Sequence, residues 1–197
     1  MSNSPKSKVA VFVGSSRPGS INRKFAKALG KLGAAKLDFQ LVEVDDLPFF
    51  DPERENNVPA SVQRMKEAVA ASDAVLFVTP EYNRGVPAVL KNALDWGTRP
   101  WGTNVWDGKL ASVTGTSPGV IGTAVAQHQM RTMLTAVGAL VLGQPEVYLA
   151  YKPELIDEDG NITDEQTATF LQSYLDKLAL FAGRLSVRDA QRQTQAA

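Results

Sequence analysis

Residues 9–13, Val-Ala-Val-Phe-Val, form an unbroken apolar run that stops at Gly14. A run this short and uniform predicts a strand buried on both faces, as in the middle of a parallel sheet. The period then changes. Phe25, Ala28, Leu29 and Leu32 recur at i, i+3, i+4 and i+7, which predicts a helix packing one face onto the sheet, and Gly33 stands where that helix would stop. Residues 37–44 alternate, with Leu37, Phe39 and Leu41 on one side and Asp38, Gln40 and Val42 on the other, the pattern of a half-exposed edge strand.

The same alternation of elements continues to the end of the chain. Residues 46–59 carry three prolines among Asn, Asp and Glu residues, a long surface loop placed to border a site entrance. Val62, Met65, Lys66 and Val69 mark a second helix, and residues 74–79 a third strand ending abruptly at Pro80. Pro87 suits the first turn of a third helix, whose buried stripe is Leu90, Ala93, Leu94 and Trp96. A fourth strand over 110–114 ends at Gly115; a helix over about 123–137, a strand over about 141–148 and a final helix over about 164–187 follow. Right-handed crossovers between such units give a parallel sheet with helices on both faces. Five strands suit the order 2-1-3-4-5, in which ligands bind beyond the carboxyl ends of the strands at the switch point. The loops after strands one, three and four therefore become the candidates for chemistry.

Composition narrows the field. At 197 residues the chain suits one domain over 8–187, between a disordered N-terminal tail, 1–7, and a C-terminal tail, 188–197. The 21 basic residues are balanced by 21 acidic ones without a basic stripe, so nucleic acid is not an expected partner. There is no cysteine, which excludes thiolate nucleophiles and disulfides and suits a reducing, cytoplasmic setting. The apolar run at 9–13 is too short for a signal peptide or a membrane span, so no membrane association is expected. The one histidine, His128, lacks partners at ligand spacing, and no metal site is expected.

The first loop, Gly14-Ser15-Ser16-Arg17-Pro18-Gly19-Ser20-Ile21-Asn22, runs directly into a helix. Hydroxyls, backbone N–H groups and one guanidinium at a positive helix end fit a phosphate monoester. Gly14 and Gly19 have the spacing of a nucleoside-triphosphate loop, but Ser20-Ile21 replaces its Lys-Ser/Thr, which disfavours a kinase or GTPase. Ser16 and Arg17 stand where a dinucleotide fingerprint needs glycines, which disfavours NAD bound at this loop. Ser, Gly and Pro could equally serve only to cap and turn the junction. Arg17 tips the balance, because a guanidinium has no capping duty and matches phosphate in charge and geometry.

The second loop, Thr79-Pro80-Glu81-Tyr82-Asn83-Arg84-Gly85-Val86-Pro87, could hold the polar edge of a flat ring beside aromatic surface. Tyr82 alone would read as a half-buried anchor and Lys91 as a solvated helix charge. The third loop, with Gly115, Thr116, Ser117, Pro118, Gly119 and Gly122, leaves room for close backbone approach along the same pocket.

Gly-Ser-Ser-Arg-x-x-Ser-x-Asn after strand one, joined to Pro-Glu-Tyr-Asn-x-x-x-Pro-x-x-Leu-Lys-Asn-Ala-x-Asp-Trp after strand three, resembles the NAD(P)H-dependent FMN reductase family over about residues 8–185. Quinone, chromate and azo-dye reductases belong to that family. The resemblance implies an α/β, flavodoxin-like three-layer sandwich with non-covalent FMN, NADPH or NADH as electron donor, and small-molecule acceptors. It also implies a homodimer or homotetramer with the flavin near a subunit interface. By motif position, Ser15, Arg17, Ser20, Ile21 and Asn22 would hold the phosphate, and Pro80, Glu81, Tyr82 and Asn83 would line the ring. Ser117 and Gly119 would complete the third wall. The flavin would carry the chemistry, so no catalytic side chain is expected, and ping-pong exchange of donor and acceptor at one site follows. Some members build a tetramer from an Arg and a Tyr early in the fourth helix and a Glu after strand five. Here Val125 and His128 take the helix positions while Glu146 is kept, so that network is not carried over. Two other readings stand beside a reductase: a flavodoxin-type electron carrier or redox sensor without nicotinamide turnover, and a flavin-free binding module on the same fold.

Overall fold

The computed structural model describes the backbone of residues 5–196 and the side chains of residues 5–186; Met1–Ser4 of the expected N-terminal tail and the side chains of the C-terminal segment lie outside the described residues. Strand β1 (Ser7–Val13) lies between β2 (Leu37–Val42) and β3 (Ala74–Val78), parallel to both, with Val11 opposite Leu41 and Leu76. Strand β4 (Leu110–Ser117) pairs with β3, and β5 (Leu140–Val141) with β4, which gives the order β2-β1-β3-β4-β5. The sheet has the expected flavodoxin-like order.

Helices α1 (Ile21–Gly33) and α5 (Glu165–Ala196) cover one face, where Val9, Val11 and Val13 meet Phe25, Leu29, Leu175 and Leu178. Helices α2 (Ala60–Ala70), α3 (Ala88–Gly97) and α4 (Ala124–Ala136) cover the other, where Phe12 and Phe77 stack at 4.9 Å beside Trp106. Burial on both faces explains why β1 and β3 read as unbroken apolar runs, whereas β2 alternates because it is the sheet edge. Of Leu37, Phe39 and Leu41 on one side of it, Leu41 is 47% exposed.

Three elements differ from expectation. The fifth strand is split: Leu140–Val141 pairs with the start of β4, and β6 (Tyr148–Ala150) pairs with its end. Between them Gly143 and Pro145 interrupt the ladder, proline having no N–H to donate, and Arg131 from α4 reaches into the break to donate to the Val113 carbonyl at 3.0 Å. Pairing with β6 carries β4 on to Ser117 rather than ending it at Gly115. Helix α5 runs to Ala196, past the predicted end near residue 187, because no glycine or proline follows to stop it. Gly33 ends α1 without a left-handed turn. Ala34 is the right-handed cap, and a Cβ at Gly33 would sit in ordinary contact with Leu37 and Leu175 at 3.4 Å.

Candidate functional site

The loops after β1, β3 and β4 converge because their backbones are held almost in contact. A Cβ on Gly14 would lie 2.9 Å from the Pro80 ring, and one on Gly115 would collide with the Thr79 carbonyl, so both positions admit only glycine. Asn22 bridges the first and third loops: its amide donates to the Thr116 carbonyl at 2.9 Å and accepts from the Thr116 N–H at 3.0 Å. Glu81 bridges the second loop to α4, one carboxylate oxygen accepting from the N–H groups of Val125 at 3.0 Å and Ala126 at 3.1 Å.

The first loop keeps its donors free. Among the described residues, the backbone N–H groups of Ser15, Ser16, Arg17, Gly19, Ile21 and Asn22 have no partner, nor does the Arg17 guanidinium. They surround the N-terminus of α1, whose first turn holds no acidic residue. Backbone donors, a positive helix end and a guanidinium together suit a phosphate monoester. Ser15 and Ser20 are buried and Arg17 and Gly19 exposed, so the cradle has an inner wall and an open side. Ser20 caps the helix, its hydroxyl accepting from Arg23 N–H at 3.2 Å. The Asn22 side chain is committed to Thr116, while its backbone N–H and that of Ile21 stay unpartnered at the start of α1.

The second loop is the reverse case. Asn83 and Arg84 have φ of 51° and 63°, and Tyr82 and Gly85 exchange backbone hydrogen bonds at 3.1 and 2.9 Å, forming a two-residue hairpin turn. Arg84 donates to Glu81 at 2.9 Å, and Gln129 grips the turn by donating to the Arg84 carbonyl at 3.0 Å and accepting from Val86 N–H at 3.3 Å. The Glu81 carboxylate is thereby tied to Arg84 and the start of α4. Pro80 is buried against Gly14, while Tyr82, 53% exposed, and Asn83 project at the surface and remain available to a ring.

The remainder of the second motif is spent on scaffolding. Asn92 accepts from Phe50 N–H at 2.8 Å and donates to the Pro48 carbonyl at 3.0 Å, and Trp96 donates to the same carbonyl at 2.8 Å. These bonds fasten the long loop after β2 onto α3, while Lys91 pairs with Asp95 at 2.6 Å. In the third loop, Ser117 donates to the Gly119 carbonyl at 3.3 Å, and both residues border the opening. Thr123 caps α4 at φ 66°.

Sequence reasoning passed over Arg23 and the α4 glutamines. Arg23 donates to the Ser15 carbonyl at 3.0 Å and to Asp45 at 2.9 Å, holding the first loop to the segment after β2. Gln127, fully buried, accepts from Arg131 and donates to the carbonyls of Gly122 and Val147 and to Thr123. Amphipathic spacing gives no signal for such residues, since their partners lie in distant loops. His128 and Val125 are exposed on α4, and Glu146 faces Arg131 of its own chain at 3.6 Å. Among the described residues no metal-binding cluster of His, Cys, Asp or Glu occurs, and no helix is long and apolar enough to cross a membrane.

Comparison with known proteins agrees with the geometry. Residues 7–154 match the model of a family described as NADPH-dependent FMN reductase. A 2-hydroxy-1,4-benzoquinone reductase from a Burkholderia species is 42% identical over 172 residues, 87% of this chain and 94% of that protein. A quinone reductase from Pseudomonas putida is 44% identical over 172 residues, covering 87% and 92%. Among solved structures, the flavoenzyme NAD(P)H:(acceptor) oxidoreductase FerB from Paracoccus denitrificans superposes with a TM-score of 0.88 at 46% identity, over 90% of this chain and 98% of that one.

Proposed function

The chain belongs to the NADPH-dependent FMN reductase family, and from that premise we propose that it is an NAD(P)H-dependent oxidoreductase that binds FMN across the three loops and reduces quinones. The observation that carries this reading is that, among the described residues, the N–H groups of Ser15, Ser16, Arg17, Gly19, Ile21 and Asn22 and the Arg17 guanidinium are unpartnered, which supplies what a phosphate dianion needs and which a turn serving only as a connector would not require. Bound FMN supplies the redox chemistry, taking a hydride from NAD(P)H and passing the electrons on to an acceptor.

The chain's own residues bind and orient. Arg17 and the N–H groups of the first loop neutralise the phosphate, and Ser15 offers its hydroxyl. Asn22 and Arg23 keep the loop in shape from behind. Pro80, Tyr82 and Asn83 border the ring, with Glu81 and Gln129 holding their hairpin, and Ser117 and Gly119 form the opposite side. The exposure of Tyr82 and Gly119 leaves an approach open to solvent, so donor and acceptor take turns at one place and the kinetics are ping-pong. Free flavins, chromate and azo compounds extend the acceptor range by the same logic of an accessible reduced ring. The protein acts in the cytoplasm as a homodimer or homotetramer, a choice that light scattering decides.

The test is stopped-flow. Reduction of FMN-loaded protein by NADH and by NADPH, then reoxidation by a benzoquinone, should give two separable half-reactions and parallel double-reciprocal lines. Protein that binds FMN but is not reduced by either nicotinamide would be an electron carrier or sensor instead, and protein that binds no FMN would be neither.

A further inference from the structure

A cavity of about 480 Å³ lies between α1 and the exposed edge strand β2, behind the first loop, with which it shares Arg23. One stripe of α1, Arg23, Ala26, Lys27, Gly30 and Ala34, forms its roof. That stripe runs from residue 23 to residue 34, eleven helical steps, so the cleft is about 16 Å long at the rise of 1.5 Å per residue. Its floor is apolar. Val11, Val13 and Leu37, each at most 3% exposed, close the bottom, and Phe39 and Leu41 present the open apolar surface. Gly30 keeps the roof low over Phe39, which a Cβ there would approach to 3.3 Å.

The rim is cationic. Lys6, Arg23 and Lys27 face a single carboxylate, Asp38. Arg23 is held by Asp45, by Glu43 at 3.7 Å and by the Ser15 carbonyl, but the side chains of Lys6 and Lys27 have no hydrogen bond or ion pair among the described residues. An elongated apolar trough with two free ammonium groups on its edge matches a molecule that has an extended hydrocarbon body and one negative end. We propose that this cleft is a binding site for a linear amphipathic carboxylate of medium chain length. The site does not depend on the flavin reading. It does share Arg23 with the phosphate loop, so its roof and that loop are held by one side chain.

Titration calorimetry of the full-length protein with decanoate, in the presence of saturating FMN, tests the assignment. Saturable one-to-one binding is expected, weakened at least about tenfold in the double variant K6E/K27E, a difference of ~1.4 kcal/mol. Both lysines are exposed, so circular dichroism should show the variant folded. Decanol should bind at least about tenfold more weakly than decanoate if charge matters as argued. A second apolar groove, lined by Leu140, Leu180 and Phe181 at the opposite sheet edge, provides the control: Leu180→Asp should leave decanoate binding unchanged. Absence of saturable binding, equal affinity in K6E/K27E, or loss of binding in Leu180→Asp would each overturn the proposal. So would binding seen only when FMN is omitted, which would place the ligand in the three-loop site.

Discussion

The loop after β1 and the loop after β3 look alike in sequence, both short, polar and punctuated by Pro and Gly, yet the structure uses them in opposite ways. From Ser15 to Asn22 the polar groups are held from behind and left unpartnered in front. From Glu81 to Val86 they are consumed internally, by Arg84 on Glu81, Glu81 on α4 and Gln129 on the hairpin. A loop that binds must keep donors free at some cost in stability, whereas a loop that shapes a wall gains stability by closing its own bonds. The two should therefore respond differently to mutation, the first losing ligand and the second losing stability.

The largest effect should come where the backbones of two loops touch. Gly115→Ala places a methyl against the Thr79 carbonyl and should lower unfolding free energy by about 3 kcal/mol in urea titration, the upper end for overpacking. A near-neutral result would mean that the close approach is not required. Arg17→Ala should lower FMN affinity by roughly 10- to 100-fold, as for a charged hydrogen bond of about 1.5–3 kcal/mol. The same change should shift the stability of FMN-free protein by no more than about 0.5 kcal/mol, as at an exposed position. Glu81→Gln should do the converse, costing about 1 kcal/mol of stability through the end of α4 while reducing FMN affinity less than Arg17→Ala does. Gln129→Ala, which loosens the exposed side of the hairpin, should cost about 0.5 kcal/mol by thermal denaturation. If Glu81→Gln and Arg17→Ala have interchangeable effects, the contrast between the loops fails.

Which parts were legible in the sequence follows from which forces are local. Strands β1 and β3 and the apolar stripes of the helices could be read because burial imposes a period on neighbouring residues, as Phe25 and Leu29 show. The break between β5 and β6 was only half legible: Pro145 inside the predicted strand is a local breaker, but the arginine from α4 that fills the gap by reaching the Val113 carbonyl is not a local signal. The same limit applied to the site. Loop positions and residue types pointed to a phosphate, but the partners of Asn22 and Glu81 are 94 and 44 residues away, so neither side chain's actual commitment was visible. Arg17, whose guanidinium has no partner among the described residues, was the easiest to read.

Recognition of the phosphate is the point on which the account turns, and it can be isolated by comparing FMN with riboflavin, which has the same ring and no phosphate. Fluorescence titration of the wild-type protein should show FMN binding at least about 100-fold more tightly, a gap of ~2.7 kcal/mol, and Arg17→Ala should close most of it by weakening FMN alone. Riboflavin binding as tightly as FMN, or a gap that survives in Arg17→Ala, would contradict a phosphate cradle at the start of α1.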